Sequence, residues 1–248
     1  MMRWSDRATS TDSDENWMKL LVQKANLQTI PIDFPEEYRF IGLRSLTITY
    51  CDLNFHPARV SGTKFYPLRT LEELTLRRLD LESISELVHY LHLRFSRLGI
   101  IEASECYYLK NLFSSSSIIP TLKNLEKVTI SHCRKLVELF ENASSSQSSE
   151  GLLEELVENA HSSQTLIPSC IVPNLRIMKL KELPKLETLG GHHQSWQHLE
   201  KLEVINCNQI KKLPFTTQNA TAIKEIRGAS QWWNDLEWDD EDTKSGLQ

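Results

Sequence analysis

The sequence has no run of about 20 apolar residues, the length that a helix needs to cross a bilayer. Residues 1–16 are polar and acidic, so they do not resemble a secretory signal peptide. Basic residues are not in excess, because 28 Lys and Arg stand against 33 Asp and Glu, for a net charge of -5. We therefore expect a cytoplasmic chain with no integral membrane segment and no nucleic-acid partner.

Motifs for catalysis and cofactor binding are also missing. There is no Gly-x-Ser-x-Gly elbow, no Gly-x-Gly-x-x-Gly loop and no Gly-x-x-x-x-Gly-Lys-[Ser/Thr] phosphate loop. His192, His193 and His198 cluster, but not at the spacing of a His-Glu-x-x-His metal site, which favours a solvated turn. The sequence predicts no enzyme, no cofactor and no metal.

Five cysteines make an odd count, and no Cys-x-x-Cys pair occurs among them. In a reducing compartment this pattern does not predict a disulfide framework.

What the chain does contain is a repeat, Leu-x-x-Leu-x-Leu-x-x-Cys with aliphatic exchanges. Six copies start at Leu43, Leu71, Leu98, Leu125, Leu175 and Leu199. Their spacings are 28, 27, 27, 50 and 24 residues, and the 50-residue gap predicts an insertion at about residues 141–165. Such periods indicate a solenoid, whose usual role is to present a surface to a partner.

Each copy predicts a short strand with one buried face, because positions four and six are apolar. Equivalent strands that run in the same direction form a parallel sheet, with the rest of each repeat crossing over the outer side. The apolar pairs that follow should line this crossover: Leu109 and Leu112, Leu136 and Leu139, Leu186 and Leu189, Ile210 and Leu213. The predicted fold class is an α/β leucine-rich-repeat solenoid, a horseshoe with a parallel β-sheet on its concave face and irregular or helical crossovers on its convex face.

Position nine is Cys51, Cys106, Cys133 or Cys207 in four copies, and Leu79 or Leu183 in two. The favoured interpretation is a small, weakly polar side chain that fits a tight turn. A Cys106–Cys133 disulfide or metal bridge is the alternative, because stacked turns lie about 5 Å apart.

Three domain segments are expected. Residues 1–40 form a disordered N-terminus, with a possible degenerate first repeat at about 16–40, and residues 41–215 form the solenoid. Residues 216–248 form an acidic cap whose tryptophans cover the open end of the core, the alternative being a docking tail for a basic partner. Within the solenoid, Ser83-Ile-Ser-Glu86 has the spacing of a capping box and predicts a crossover helix.

With these repeats and this C-terminus, the chain resembles the C-terminal leucine-rich-repeat region of plant intracellular immune receptors, the nucleotide-binding type with a coiled-coil N-terminus. The similarity lies in Leu125-Glu-Lys-Val-Thr-Ile-Ser-His-Cys, Val172-Pro-Asn-Leu-Arg-Ile-Met-Lys-Leu and the closing Trp232-Trp-Asn-Asp-Leu-Glu-Trp. The resemblance implies a plant-defence module that recognises a pathogen effector or a guarded host protein and restrains a nucleotide-binding domain. The missing phosphate loop departs from whole receptors, so we expect a fragment, a truncated product or a stand-alone repeat protein, with a leucine-rich adaptor as the alternative function.

Strand residues between the core positions should face the concave surface and bind protein. Residues such as Ser45 and Thr49 belong to this exposed set, and the favoured candidates combine charge with unpaired apolar groups. These candidates are Tyr50, Glu73, Arg77, Arg78, Ile100, Glu102, Glu105, Lys127, His132, Ile177, Lys179, Lys181, Lys201 and Ile205.

Overall fold

The computed structural model describes nine stretches of the chain, and all structural statements concern these residues. They are residues 2–6, 18–23, 43–50, 70–90, 96–113, 122–140, 172–190, 196–239 and 241–247. The predicted insertion at 141–165 lies outside them, as do Cys51, His192 and His193.

Eleven strands and four short helices occur in the described part of the chain. In chain order the strands are β1 Met2–Asp6, β2 Met18–Gln23, β3 Leu43–Thr49, β4 Glu73–Arg77, β5 Ile100–Ser104, β6 Lys127–Ser131, β7 Glu138–Phe140, β8 Ile177–Lys181, β9 Thr188–Gly190, β10 Lys201–Ile205 and β11 Glu225–Gly228. The helices are α1 Ile84–Tyr90, α2 Thr217–Ala220, α3 Ser230–Asn234 and α4 Glu241–Gly246.

The main sheet holds nine strands in the order β1-β2-β3-β4-β5-β6-β8-β10-β11, and only β1 pairs antiparallel. Each repeat adds one strand in the same register, so that Leu74 pairs with Ile101, and Ile101 with Val128. Strands β6 and β8 pair directly despite the long gap between them in sequence. The solenoid with a parallel sheet is therefore confirmed, and the insertion leaves the pairing unchanged.

The core consists of the repeat's apolar positions. Residues at positions one, four, six and nine from Leu71 to Cys207 are buried, among them Leu125, Val128, Ile130 and Cys133. Each fully buried leucine contributes about 1.5–3 kcal/mol relative to an exposed one. Because equivalent residues stack on each other along the sheet, each repeat covers the core of the next.

A second, smaller sheet lines the crossover side, where β7 pairs parallel with β9. The leucines predicted to close the core here are buried, from Leu109 through Leu189. Phe113 stacks on Phe140 with ring centroids 6.3 Å apart, and Phe140 meets the Trp196 ring edge-on at 5.9 Å. On the crossover side the core is thus closed by these leucines and by the rings of Phe113, Phe140 and Trp196.

Helix α1 forms where the capping-box spacing predicted a helix. Ser83 precedes it, and its Oγ accepts a hydrogen bond from the Ser85 backbone N–H at 3.1 Å. The Glu86 carboxylate accepts from the Glu82 N–H at 3.3 Å, one residue earlier than a capping box requires. The helix therefore begins with one turn of side-chain caps and buries Ile84 and Leu87.

The two ends of the array differ from expectation. Residues 1–40 were expected to form a disordered N-terminus, but β1 forms there and pairs with β2, in a segment whose Met2 and Trp4 alternate with polar residues as in a strand. At the other end, β11 continues the sheet in register with β10, although no seventh copy of the repeat was identified in the sequence. Strand β2 likewise continues the array, with Leu20 paired to Leu46.

Candidate protein-interaction surface

The concave face is built by strand alternation. Along β6, Val128 and Ile130 point into the core, whereas Lys127, Thr129 and Ser131 lie half-buried on the other side. Strands β4, β5, β8 and β10 alternate in the same way. Because the strand residues that enter the core are positions four and six of each repeat, positions three, five and seven are available for contacts with another molecule.

All fourteen candidate residues lie on this face or in the turn that follows each strand. Eight of them are exposed: Tyr50, Glu73, Arg77, Arg78, His132, Lys179, Lys181 and Lys201. Six are half-buried: Ile100, Glu102, Glu105, Lys127, Ile177 and Ile205. The expectation of exposure is wrong for Ser45 and Thr49, which are 3% and 8% exposed and lie on β3, a strand with the neighbouring strands β2 and β4 on its two sides.

The candidate isoleucines are set among charged neighbours. Ile100 pairs with Lys127, and Lys127 pairs in turn with Ile177, so one cation lies between two apolar side chains. Ile205 pairs with Lys181 at the far edge of the same face. Tyr50 lies apart from all three, at the end of β3. The structure thus brings Ile100 and Ile177 onto one row but does not join the four apolar candidates into one patch.

Ion pairs connect neighbouring strands across the concave face. Lys127 Nζ lies 2.8 Å from Glu102 Oε1, and Lys179 Nζ lies 3.8 Å from Glu203 Oε2. Both pairs are partly exposed, so each contributes no more than about 1 kcal/mol. They order the long side chains and leave the surface charges alternating in sign.

Arg77 and Arg78 lie beside the repeat that carries Glu102 and Glu105, and one arginine–glutamate ion pair forms between the two repeats. Arg78 Nε lies 2.5 Å from Glu105 Oε2, and this hydrogen bond lowers the pKa of Glu105 below its usual range. Arg77 instead donates to Ser104 Oγ at 3.1 Å, while Glu102 pairs with Lys127. Arg77 therefore contacts a neutral hydroxyl and presents its charge at the surface.

Position eight of every repeat has a left-handed backbone, with φ between 53° and 57°. In five of these six turns the backbone N–H of position eight donates to the position-seven carbonyl of the next strand, as from His132 to Lys181 at 2.9 Å. This conformation turns the chain sharply after each strand and places six side chains along one edge of the sheet. They are Tyr50, Arg78, Glu105, His132, Glu182 and Asn206.

Two exposed tyrosines beside this edge were not among the candidates. Tyr107 and Tyr108 occupy positions ten and eleven of their repeat, between the buried Cys106 and Leu109. The sequence could have indicated them, because two aromatic residues occupy positions ten and eleven of this repeat. The following repeat has the charged residues Arg134 and Lys135 at the same positions.

The opposite edge of the sheet, where strands begin, has an open cleft. It is lined by Glu126, Asn174, Arg176, His198, Glu200, Ala222 and Lys224. Glu200 binds Arg176 at 2.5 Å and Lys224 at 2.7 Å, and these partners, Lys224 first, lower the pKa of Glu200. One carboxylate of the cleft is thus already held by two of its cations, and in the described part of the chain no three His, Cys, Asp or Glu side chains are grouped as a metal site would require.

The three ninth-position cysteines that the structure describes are buried in the turns, as the favoured interpretation predicted. Cys106, Cys133 and Cys207 are free thiols. The thiols of Cys133 and Cys207 each donate a hydrogen bond to the backbone carbonyl two residues earlier, with Sγ–O distances of 3.4 Å, and thereby satisfy a carbonyl within the turn. Burial raises the pKa of the Cys207 thiol to about 11. These residues are structural, and they do not contribute to the concave face.

Comparison with known proteins identifies related repeats. A family model for plant disease resistance protein RPS2-like leucine-rich repeats matches residues 70–227. The disease resistance protein At4g27190 of Arabidopsis thaliana is 37% identical over 218 residues, which are 84% of this chain and 20% of that protein. The probable disease resistance protein At4g27220 of the same plant is 33% identical over 187 residues, 75% of this chain and 18% of that protein.

A more distant relative, the disease resistance protein RPS5 of the same plant, is 25% identical over 203 residues. The chain spans about a fifth of the length of these curated relatives, whose own shares are 20%, 18% and 22%. No solved structure matches the chain significantly. None of the helices in the described ranges is long and apolar enough to cross a membrane.

Proposed function

Because the chain belongs to the RPS2-like leucine-rich-repeat family of plant disease resistance proteins, we propose that it recognises protein partners in plant defence. The proposed partner is a pathogen effector or a guarded host protein, and the proposed setting is the cytoplasm. In a receptor of the coiled-coil, nucleotide-binding type, the same module would also restrain the nucleotide-binding domain.

One observation carries this proposal. The core requires only the buried positions of each strand, so the concave face from Tyr50 to Asn206 is free to carry residues that the fold does not need. Among them, Ile100 and Ile177 leave apolar surface on a solvent-facing row with Lys127 between them. Apolar groups inside a rim of charges are the usual composition of a protein-binding centre.

The regulatory part of the proposal is supported by the family relationship rather than by a contact. The chain matches only about a fifth of its relatives, so the partner domain is expected on another polypeptide or on another part of a longer one. A direct assay is co-expression of this chain in plant tissue with and without the nucleotide-binding half of a matching receptor, followed by affinity purification. Association with that half supports restraint of the switch, whereas recovery of unrelated host proteins alone favours the leucine-rich adaptor.

The recognition surface is tested by replacing Arg77, Arg78, Ile100 and Ile177 together with alanine. We expect the recovered partner to be lost, because the change removes two cations and two apolar contacts from the concave face. A control variant replaces four exposed residues away from that face: Glu82, Lys110, Lys211 and Gln231. Equal recovery of the partner with both variants would refute the concave face as the binding surface.

A further inference from the structure

In the described stretches, four large apolar or aromatic side chains are exposed. Three of them are tyrosines, and these lie at one edge of the sheet. Tyr50 and Tyr107 are each 41% exposed and Tyr108 is 47% exposed, while the fourth residue is Val137. All three tyrosines lie in the turns that follow β3 and β5. Tyrosine is enriched at protein interfaces because it combines a large apolar ring with a polar end.

Cations contact each of these rings. The Arg78 guanidinium lies 4.8 Å from the centroid of the Tyr50 ring, and the Arg134 guanidinium lies 5.4 Å from that of Tyr107. The Lys135 ammonium lies 4.2 Å above the Tyr108 ring. These distances fall within the range of cation–π attraction, about 6 Å. The cations are thereby held at the surface in defined positions.

The contacts run without a break across four repeats. Tyr50 binds Arg78, Arg78 binds Glu105, and the Tyr107 hydroxyl donates to Glu105 Oε2 at 3.4 Å. Arg134 then covers Tyr107. We call this set, with Tyr108 and Lys135, the aromatic-basic edge: Tyr50, Arg78, Glu105, Tyr107, Tyr108, Arg134 and Lys135.

The charge of this edge is opposite to that of the whole chain, whose net charge is -5. Arg78, Arg134 and Lys135 stand here against one carboxylate, Glu105, which is already bound by Arg78. Within the stretches that the structure describes, Arg134 and Lys135 form no ion pair with a carboxylate, and each lies over a tyrosine ring. The described residues thus leave two exposed cations without a counter-ion, which is a feature that an anionic partner would satisfy.

We propose that the aromatic-basic edge binds an acidic protein segment, in which carboxylates pair with Arg134 and Lys135 and apolar side chains pack on Tyr107 and Tyr108. A guanidinium stacked on a ring keeps its N–H edge free, and that edge matches a carboxylate in bidentate geometry. A polyphosphate ligand fits less well, since the cations are few, the chain is acidic overall and the rings need an apolar partner. The proposal rests on the proposed function, because it names the chemistry of one protein partner of the same module.

The probe is a fluorescein-labelled 14-residue peptide that alternates Glu or Asp pairs with Leu or Phe, titrated with the full chain by fluorescence anisotropy. We expect saturable binding that weakens as salt is raised from 50 to 300 mM, because the cations are exposed. A matched peptide with Gln and Asn in place of the acids should not bind. Failure of the acidic peptide to bind at 1 mM protein would overturn the proposal.

The location is tested with Arg134→Glu/Lys135→Glu, matched by Lys123→Glu/Lys211→Glu, which makes the same charge change at two exposed residues outside both the edge and the concave-face candidates. We expect the first variant to weaken peptide binding at least tenfold and the second to change it less than threefold, with unchanged unfolding midpoints in both. Equal losses would show general charge attraction and overturn the site. Displacement of the peptide by a single-stranded oligonucleotide at lower concentration than by unlabelled peptide would assign the edge to polyanions instead.

The two proposals fail separately. If Arg134→Glu/Lys135→Glu retains both the peptide and the plant partner while the concave-face variant loses that partner, the edge proposal is overturned and the proposed function stands. If the peptide binds at the edge but the wild-type chain recovers no partner from plant tissue, the proposed recognition function is overturned instead.

Discussion

Gly190 and the carbonyl oxygen of Phe140 are so close that a Cβ atom on Gly190 would lie 2.0 Å from that oxygen. The two residues pair where the small sheet ends, and Gly190 has a φ of +58°, which favours glycine. Phe113, Phe140 and Gly190 occupy the same position in three successive repeats, so glycine replaces phenylalanine in the last of them. Trp196 then supplies the aromatic ring that packs against Phe140.

Gly190→Ala should therefore destabilise the protein by more than about 2 kcal/mol, since it combines a left-handed backbone with a clash against main chain. Chemical unfolding followed by circular dichroism measures the loss. Gly246→Ala is the matched control, because a Cβ there meets no atom within 4 Å. Equal unfolding midpoints for the two variants would contradict the assigned role of Gly190.

Trp232 should be the main contributor to stability at the C-terminal end of the array. Its side chain is 7% exposed, its Nε1 donates to the Ile210 carbonyl at 3.2 Å, and its ring lies against Gly228 in β11. Trp232→Ala should cost about 3–5 kcal/mol through the cavity that it leaves. Trp232→Phe keeps most of the packing and should lose less. A thermal unfolding series that ranks the phenylalanine variant with or below the alanine variant would refute this.

The left-handed turn at position eight predicts which substitutions His132 tolerates. Its φ is 57°, a value that a β-branched residue adopts only under strain. His132→Val should destabilise the protein by about 1–3 kcal/mol, whereas His132→Gly should stay within about 1 kcal/mol of the wild type. Lys179→Val, on an extended strand of the same face, is the control and should cost no more than about 1 kcal/mol. Free energies of unfolding from urea titrations would distinguish these outcomes.

Thiol reactivity should report whether the turns are closed. Cys106, Cys133 and Cys207 are buried and free, so a disulfide reagent such as dithionitrobenzoate should not modify them in the native protein. All five thiols should react in denaturant. More than two reactive thiols in the native state at pH 8 would contradict the buried assignment, and fewer than five in denaturant would revive the bridged alternative.

Stability should decrease at alkaline pH partly because of Cys207. Its thiol has an ordinary pKa of 9.0 and a folded-state pKa of about 11, so the unfolded chain loses this proton first. The associated stability is complete below about pH 9 and is lost as pH rises towards 11. Unfolding titrations at pH 8 and pH 10.5 should show a larger loss for the wild type than for Cys207→Ala. A constant difference between the two proteins across this range would rule out the thiol as a cause.

The repeat predicted the strands, their direction and the buried positions, because packing of a solenoid core demands an apolar residue at each of those places. Val128, Ile130 and Cys133 lie where that pattern put them. Strand β11 was missed since its sixth position is Gly228 and its ninth is Gln231, which breaks the apolar pattern. Backbone pairing with β10 forms the strand there without the usual side chains.

The surface was less predictable than the core. The neighbouring positions of Arg78 and Glu105 followed from the register, and their ion pair is present. The left-handed turns were not foreseen, as Tyr50, Arg78 and His132 share no chemistry that would indicate them. The position of Arg134 over Tyr107 depends on how two consecutive turns stack, which no local pattern in either repeat encodes.

The pairing of β6 with β8 has a consequence for how such a protein can diverge. Fifty residues separate Leu125 from Leu175, compared with 27 between Leu98 and Leu125, yet the two strand pairs have the same register. Length can thus be gained or lost between strands without moving any residue to the opposite side of the sheet. A single substitution on the exposed side changes one surface residue and leaves the strand register as it was. Binding specificity can therefore evolve one residue at a time on an unchanged scaffold.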